Sequence, residues 1–189
     1  KNGHTTVASA FGGPVYIEVP QDCALGVIEV TVSGAVAAPL FELGKSDLAA
    51  WRNEIRNAPG PWAELAGKKL VISLPSENVR QLDDPAAVVE FWDRVVSAED
   101  DLAGITNRTS PERFVLDRQI SAGYMHSGYP IMAHLDQQKK VSDIAELRKG
   151  NWGFFHELGH NHQRPDWTPA GTGEVTCNIF SMYCFESVC

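Results

Sequence analysis

Two histidines four residues apart, with a glutamate directly after the first, constrain this 189-residue chain more than any other feature. The stretch His156-Glu157-Leu158-Gly159-His160 lies inside Trp152–Gln163, a segment with a helical pattern. On a helix, residues four apart share one face, with Cβ atoms roughly 5–6 Å apart. Two imidazoles placed that way converge on one Zn²⁺, and the intervening glutamate is placed as a general base. H-E-x-x-H is short and arises by chance in surface helices. Here Trp152, Phe154, Phe155 and Leu158 make the segment largely apolar. Burying two imidazoles and a carboxylate unpaired in such company is costly, so a metal site is the reading that accounts for both features.

A catalytic zinc takes three protein ligands and leaves a fourth position open. The chain offers a third ligand in Glu174, fourteen residues after His160 and across Arg164-Pro165-Asp166-Trp167-Thr168-Pro169-Ala170-Gly171. Prolines and glycine there end the first helix and let the chain turn back. Glu174 opens a second helical run, Glu174–Val188, with Thr172 as its expected cap. His156, His160 and Glu174 would then form a His₂Glu set. Glu157 would assist attack of a zinc-activated water on a peptide carbonyl and return the proton to the leaving amine.

Composition narrows the rest. A hydrophobic share of 43% suffices for a core, and the length suits one large domain, or one domain with a small subdomain. The net charge of −8 and a pI near 5.2 leave no basic stripe for nucleic acid, and no apolar run reaches membrane-spanning length. The chain opens at Lys1 without an initiator Met and closes at Cys189 inside a helical run, which reads as a piece of a longer protein. Cys177 and Cys184, two turns apart on one expected helix, are about 10 Å apart by helix rise, too far for a disulfide. Cys23 is left to pair with either, or all remain free thiols. Without a C-x-x-C spacing, cysteine ligation of zinc is a weaker reading than Glu174. Nothing in the sequence sets an oligomeric state.

Along the chain, residues 1–44 read as a β-rich region, and residues 45–189 as a catalytic region shortened at its C-terminus. Thr5–Ala10 and Val15–Val19 flank the turn Phe11-Gly12-Gly13-Pro14, and Val27–Ser33 has Ala35–Leu43 as a hairpin partner. Ser46 is the expected cap of a helix over Asp47–Asn57, and Lys69–Leu74 reads as a strand. Asp84-Pro85 starts the clearest helix, with Val88, Val89, Trp92, Val95 and Val96 on its buried face. Arg113–Ile120 and Ile131–Leu135 read as strands, the latter as a sheet edge able to pair with an extended peptide. Ser142 is the expected cap of Asp143–Lys149. The fold class is α+β.

The run from His156 to Gln163, with Gly173-Glu174-Val175-Thr176-Cys177-Asn178-Ile179-Phe180-Ser181, resembles the M60-like, enhancin-type zinc metallopeptidases. Tyr124-Met125-His126-Ser127-Gly128-Tyr129-Pro130-Ile131 and Gly12-Gly13-Pro14-Val15-Tyr16-Ile17 extend the resemblance over most of the chain. It implies a gluzincin-like mixed sheet with an active-site helix and an edge strand, Zn²⁺ as cofactor, and a secreted or cell-surface location. It also implies peptide or glycoprotein substrates, mucin-type O-glycosylated proteins above all. Because the resemblance also takes in animal proteins associated with ion channels, a catalytically weak binding or regulatory module is the second reading. Asn178, one turn after Glu174, is expected to orient that carboxylate or meet substrate. Tyr129, Tyr183 and His126 are candidate oxyanion donors. Trp152 is a candidate platform for a sugar ring, and His162 a substrate or surface residue.

Overall fold

The computed structural model describes residues 3–20 and 22–189. Its elements in chain order are β1 (Leu40–Glu42), α1 (Leu48–Asn53), β2 (Trp62–Ala66), β3 (Leu70–Pro75), α2 (Pro85–Ala103), β4 (Glu112–Asp117), β5 (Met125–His126), β6 (Ile131–His134), α3 (Gln138–Ser142), α4 (Ile144–Leu147), α5 (Trp152–His162) and α6 (Gly173–Ser187). The strands form one mixed sheet in the order β1-β2-β3-β4-β6-β5, with β2–β3 and β5–β6 antiparallel and the other pairs parallel. The α+β expectation is met.

One face of the sheet carries the core. Period-two alternation puts Leu65, Ile72, Phe114 and Ile131 in a single row across four strands, all fully buried. Helix α2 covers this face with the expected stripe of Val88, Val89, Trp92, Val95 and Val96. It begins at Asp84, whose carboxylate accepts from Ala87 N, and ends at Gly104 in the left-handed region at φ 72°. The Trp92 indole donates to the Val141 carbonyl (2.9 Å), and its ring lies edge-on to Phe114, Phe154 and Phe155. Phe154 and Phe155 belong to α5, so this aromatic cluster ties the metal helix to the sheet.

Several local expectations are corrected. Thr5–Ala10, Val15–Val19 and Val27–Ser33 form no strand, and β1 pairs in parallel with β2 rather than in a hairpin. A strand pattern needs a neighbour for its backbone bonds, and the described residues supply none here: Val7, Phe11, Val15, Val19 and Val27 all stand exposed. Residues 1, 2 and 21 of that region lie outside the described residues. Within it Tyr16 bonds Glu64 and lies under the Arg113 guanidinium on the other face of the sheet. Asp47, not Ser46, caps α1, and Asp143, not Ser142, caps α4. In both cases the acceptor one residue later sits closer to the first free amides. Thr172 precedes α6 but gives its hydroxyl to the Pro169 carbonyl, so it makes no side-chain cap. Ile131–His134 is not the edge strand, because Met125 and His126 fold back onto it as β5.

The buried face of α2 ends in two carboxylates. Glu99 is fully buried and Asp100 is 2% exposed. Glu99 faces His162 Nδ1 at 3.1 Å, and Asp100 faces His162 Nε2 at 3.2 Å. Asp100 also takes the Arg108 guanidinium at 2.5 Å and Lys69 at 3.0 Å. His162, expected at the surface, is therefore inside. Burial pushes the Glu99 carboxyl up to about 7, with His162 pulling the other way. Burial would lower the His162 imidazole, but the Glu99 carboxylate outweighs it and holds the ring above its usual range. Both groups bind protons more tightly folded than unfolded: the Glu99 contribution to stability is complete below about pH 4.5 and is lost as pH rises through about 7, and the His162 contribution is likewise lost as pH rises. Thermal unfolding followed across that window should show the melting temperature falling with pH, and Glu99→Gln should flatten the slope.

Candidate metal centre

Helix α5 is built to present one face outward. Asn151 caps it through Phe154 N, while Phe154, Phe155 and Leu158 point into the core. His156, Glu157 and His160 are left partly exposed on the other side. Helix α6 runs back along α5, so that Gln163 meets Gly173 at one end and Trp152 meets Phe185 at the other. The two helices approach closely because residue 159 is glycine. A Cβ there would lie 2.7 Å from the Cys177 carbonyl oxygen and 3.0 Å from Phe180 Cβ. That approach brings Glu174 over the two histidines.

Three acceptor atoms then meet. His156 Nε2 lies 3.1 Å from Glu174 Oε2, His160 Nε2 lies 3.3 Å from the same oxygen, and the two Nε2 atoms are 3.2 Å apart. Side-chain amides behind the rings set their tautomers. Asn178 Nδ2 donates to the Glu174 carbonyl, which turns its Oδ1 toward His156 Nδ1 at 2.7 Å. Gln163 Nε2 donates to the Gly173 carbonyl and Thr176 Oγ1, which turns its Oε1 toward His160 Nδ1 at 3.1 Å. Each Nδ1 therefore carries the proton, and each Nε2 presents a lone pair to the other and to a carboxylate. Three lone pairs facing one another at this distance need a cation between them. Tetrahedral zinc with bonds of 2.0–2.2 Å holds its ligand atoms about 3.3 Å apart, so the donor set fits zinc.

Asn178 was expected near the carboxylate or the substrate; the structure turns its side chain to the back of His156. Gln163 was not assigned a role from sequence, though its place three residues after His160 put it on the adjoining turn. Outer partners of this kind typically account for 10–100-fold in metal affinity. Asn178→Ala and Gln163→Ala should each weaken zinc binding by about that factor, measured by competition with a chromophoric chelator.

Glu157 stands next to the ligands without being one of the converging atoms. Burial raises its carboxyl above the usual range, with His156 and His160 pulling it down and Glu174 raising it further. Cys177 is buried, with Sγ 3.4 Å from His156 Nδ1 and 3.6 Å from Nε2, so the sulfur lies beside the imidazole. It completes a cluster with His156, His160 and Glu174. Burial pushes the thiol up to about 11. All four cysteines are free.

The remaining candidates fall elsewhere. Tyr129 is 66% exposed and lines a cavity of about 350 Å³ with His126 and Ser121. Trp152 lies one turn before His156, packs on Phe185, and lines a second, open cavity of about 530 Å³ with Met182. Tyr183 packs against the core.

Comparison with known proteins follows this geometry. The sequence profile of the peptidase M60, enhancin and enhancin-like family matches residues 34–189. The chain belongs to that family. A TRPM8 channel-associated factor homolog from Xenopus laevis is 45% identical over 97% of the chain and 21% of its own length. Human TRPM8 channel-associated factor 2 is 43% identical over 97% of the chain and 20% of its own length. The M60 chain described here thus spans about a fifth of the curated relatives it matches. A functionally unknown conserved protein from Bacillus anthracis superposes with a TM-score of 0.69 at 30% identity, covering 77% of this chain and 33% of that one. The M60 catalytic domain of Clostridium perfringens ZmpC, solved with the sialyl T antigen, gives 0.59 at 23% identity, covering 79% and 32%. The fold is that of M60 catalytic domains.

Proposed function

We propose that this M60 chain is the metal-binding portion of a zinc-dependent endopeptidase. The observation that carries the reading is the convergence of His156 Nε2, His160 Nε2 and Glu174 Oε2 within 3.3 Å, with Glu157 alongside. When bound, zinc would polarise both the attacking water and the peptide carbonyl. The chain's own residues do the rest. Asn178 and Gln163 hold the two imidazoles in the ligating tautomer. Glu157 takes the proton of the attacking water and delivers it to the leaving amine. The substrate class proposed with it is a glycoprotein and the location secreted or cell-surface, both on the resemblance to the M60-like peptidases.

The second reading is a binding or regulatory module without useful turnover. It is favoured by the identity of 42–45% to several channel-associated factors across nearly the whole chain. The intact Glu157 favours the enzyme. The deciding experiment measures zinc content, then cleavage of a mucin-type glycoprotein by the wild type and by Glu157→Ala. One zinc per chain with cleavage that Glu157→Ala removes supports the peptidase. One zinc per chain with no cleavage by the wild type shifts the reading to the module.

A further inference from the structure

The chain from β5 to β6 passes through Ser127-Gly128-Tyr129-Pro130 and forms one wall of the 350 Å³ cavity. His126 and Tyr129 line that cavity, and Met125, beside His126, packs against α5 so closely that a Cβ at Gly153 would lie 2.9 Å from its sulfur. Gly128 has φ 107°, a conformation that excludes a side chain, so this turn must be held through its backbone. The holder is Asn161, the residue after His160. Its Oδ1 accepts from Gly128 N at 2.9 Å, and its Nδ2 donates to the Gly128 carbonyl at 3.0 Å. Both backbone polar groups of one residue are taken by one side chain. The amide cannot turn over, because Nδ2 also donates to Glu112 Oε2 at 2.9 Å, and Glu112 is held by Arg108 at 2.8 Å.

We propose that Asn161 is a positioning residue that latches the Ser127–Pro130 turn, and with it the cavity wall, to the helix that carries the metal ligands. The cavity wall and the ligands then move as one body, which is what alignment of a bound peptide with Glu157 requires. Its consequence for turnover rests on the peptidase reading; its geometry does not. Asn161 bonds none of the three ligand side chains, so the latch is separable from metal binding.

The test compares the zinc-loaded wild type with Asn161→Ala and Asn161→Asp. Asn161→Asp keeps the acceptor for Gly128 N–H and loses both donors. Three quantities are read: zinc affinity, amide hydrogen exchange across residues 124–134 and across α2, and kcat and KM on an O-glycosylated peptide. In Asn161→Ala, exchange in the turn should rise about tenfold or more, as loss of two hydrogen bonds implies. Exchange in α2 and zinc affinity should hold within about twofold, and KM should rise more than kcat falls. Asn161→Asp sets a carboxylate oxygen against Glu112 Oε2 and the Gly128 carbonyl, so it should loosen the turn at least as much as Asn161→Ala. Unchanged exchange in the turn overturns the latch. A loss of zinc affinity or of α2 protection equal to the change in the turn also overturns it, since Asn161 would then only stabilise the fold. A wild type that cleaves nothing sinks the peptidase reading, while exchange and zinc affinity still decide the latch.

Discussion

Glu157→Gln should retain one zinc per chain and lower peptide hydrolysis by about 10²–10⁴-fold, the range that a positioned general base contributes. Glutamine keeps the volume and the polar contacts of the carboxylate and removes only its capacity to take a proton. The prediction separates base from ligand because the metal set closes without residue 157: the converging atoms come from His156, His160 and Glu174. The loss should fall on kcat and on kcat/KM equally, since the proton moves only in the transition state. A variant that loses zinc together with activity would mean that Glu157 belongs to the ligand set.

The second large effect is on stability. Arg108→Met should cost about 3–5 kcal/mol, the usual consequence of breaking a buried ion pair from one side. Arg108 is 16% exposed and serves Asp100 and Glu112 at once, with its guanidinium 2.8 Å from His162 Nε2. Removing it leaves Asp100, 2% exposed, with only Lys69 and the His162 imidazole as partners. It also frees Glu112, the carboxylate that orients Asn161. Arg108→Lys should recover little, because a single ammonium cannot reproduce the fork that spans two carboxylates. Chemical denaturation of metal-free protein reads this directly. A loss below about 1 kcal/mol would place the guanidinium among screened surface pairs instead.

The convergence of His156, His160 and Glu174 was legible in the sequence because it follows from short-range geometry. His156 and His160 are fixed by helical periodicity, and Glu174 by a break followed by a fresh helix. The long amphipathic α2 was legible for the same reason. Strand β2 was not: Trp-Ala-Glu-Leu-Ala has little β preference, and Trp62–Ala66 is a strand because β1 and β3 flank it. The edge was misassigned because β5 is two residues long and pairs only through a turn held from α5. His162 was read as a surface residue because its partners, Glu99 and Asp100, lie more than sixty positions away on a helix whose stripe looks purely apolar until its last two turns. Gln163 and Asn161 acquire their roles from contacts with α6 and with Gly128, which no local pattern announces.

The absent side chain at Gly159 has a bearing on how closely the three converging atoms can sit. The separation of α5 and α6 is set there by backbone against backbone, at a distance no rotamer change can widen. Through that contact the bite of the ligand set is held at 3.1–3.3 Å. Calcium, which seeks six to eight oxygens at about 2.3–2.6 Å, would meet two imidazole nitrogens and a single carboxylate oxygen there. The spacing of the donor set proposed for zinc is thus shaped by a helix crossing as well as by its own side chains.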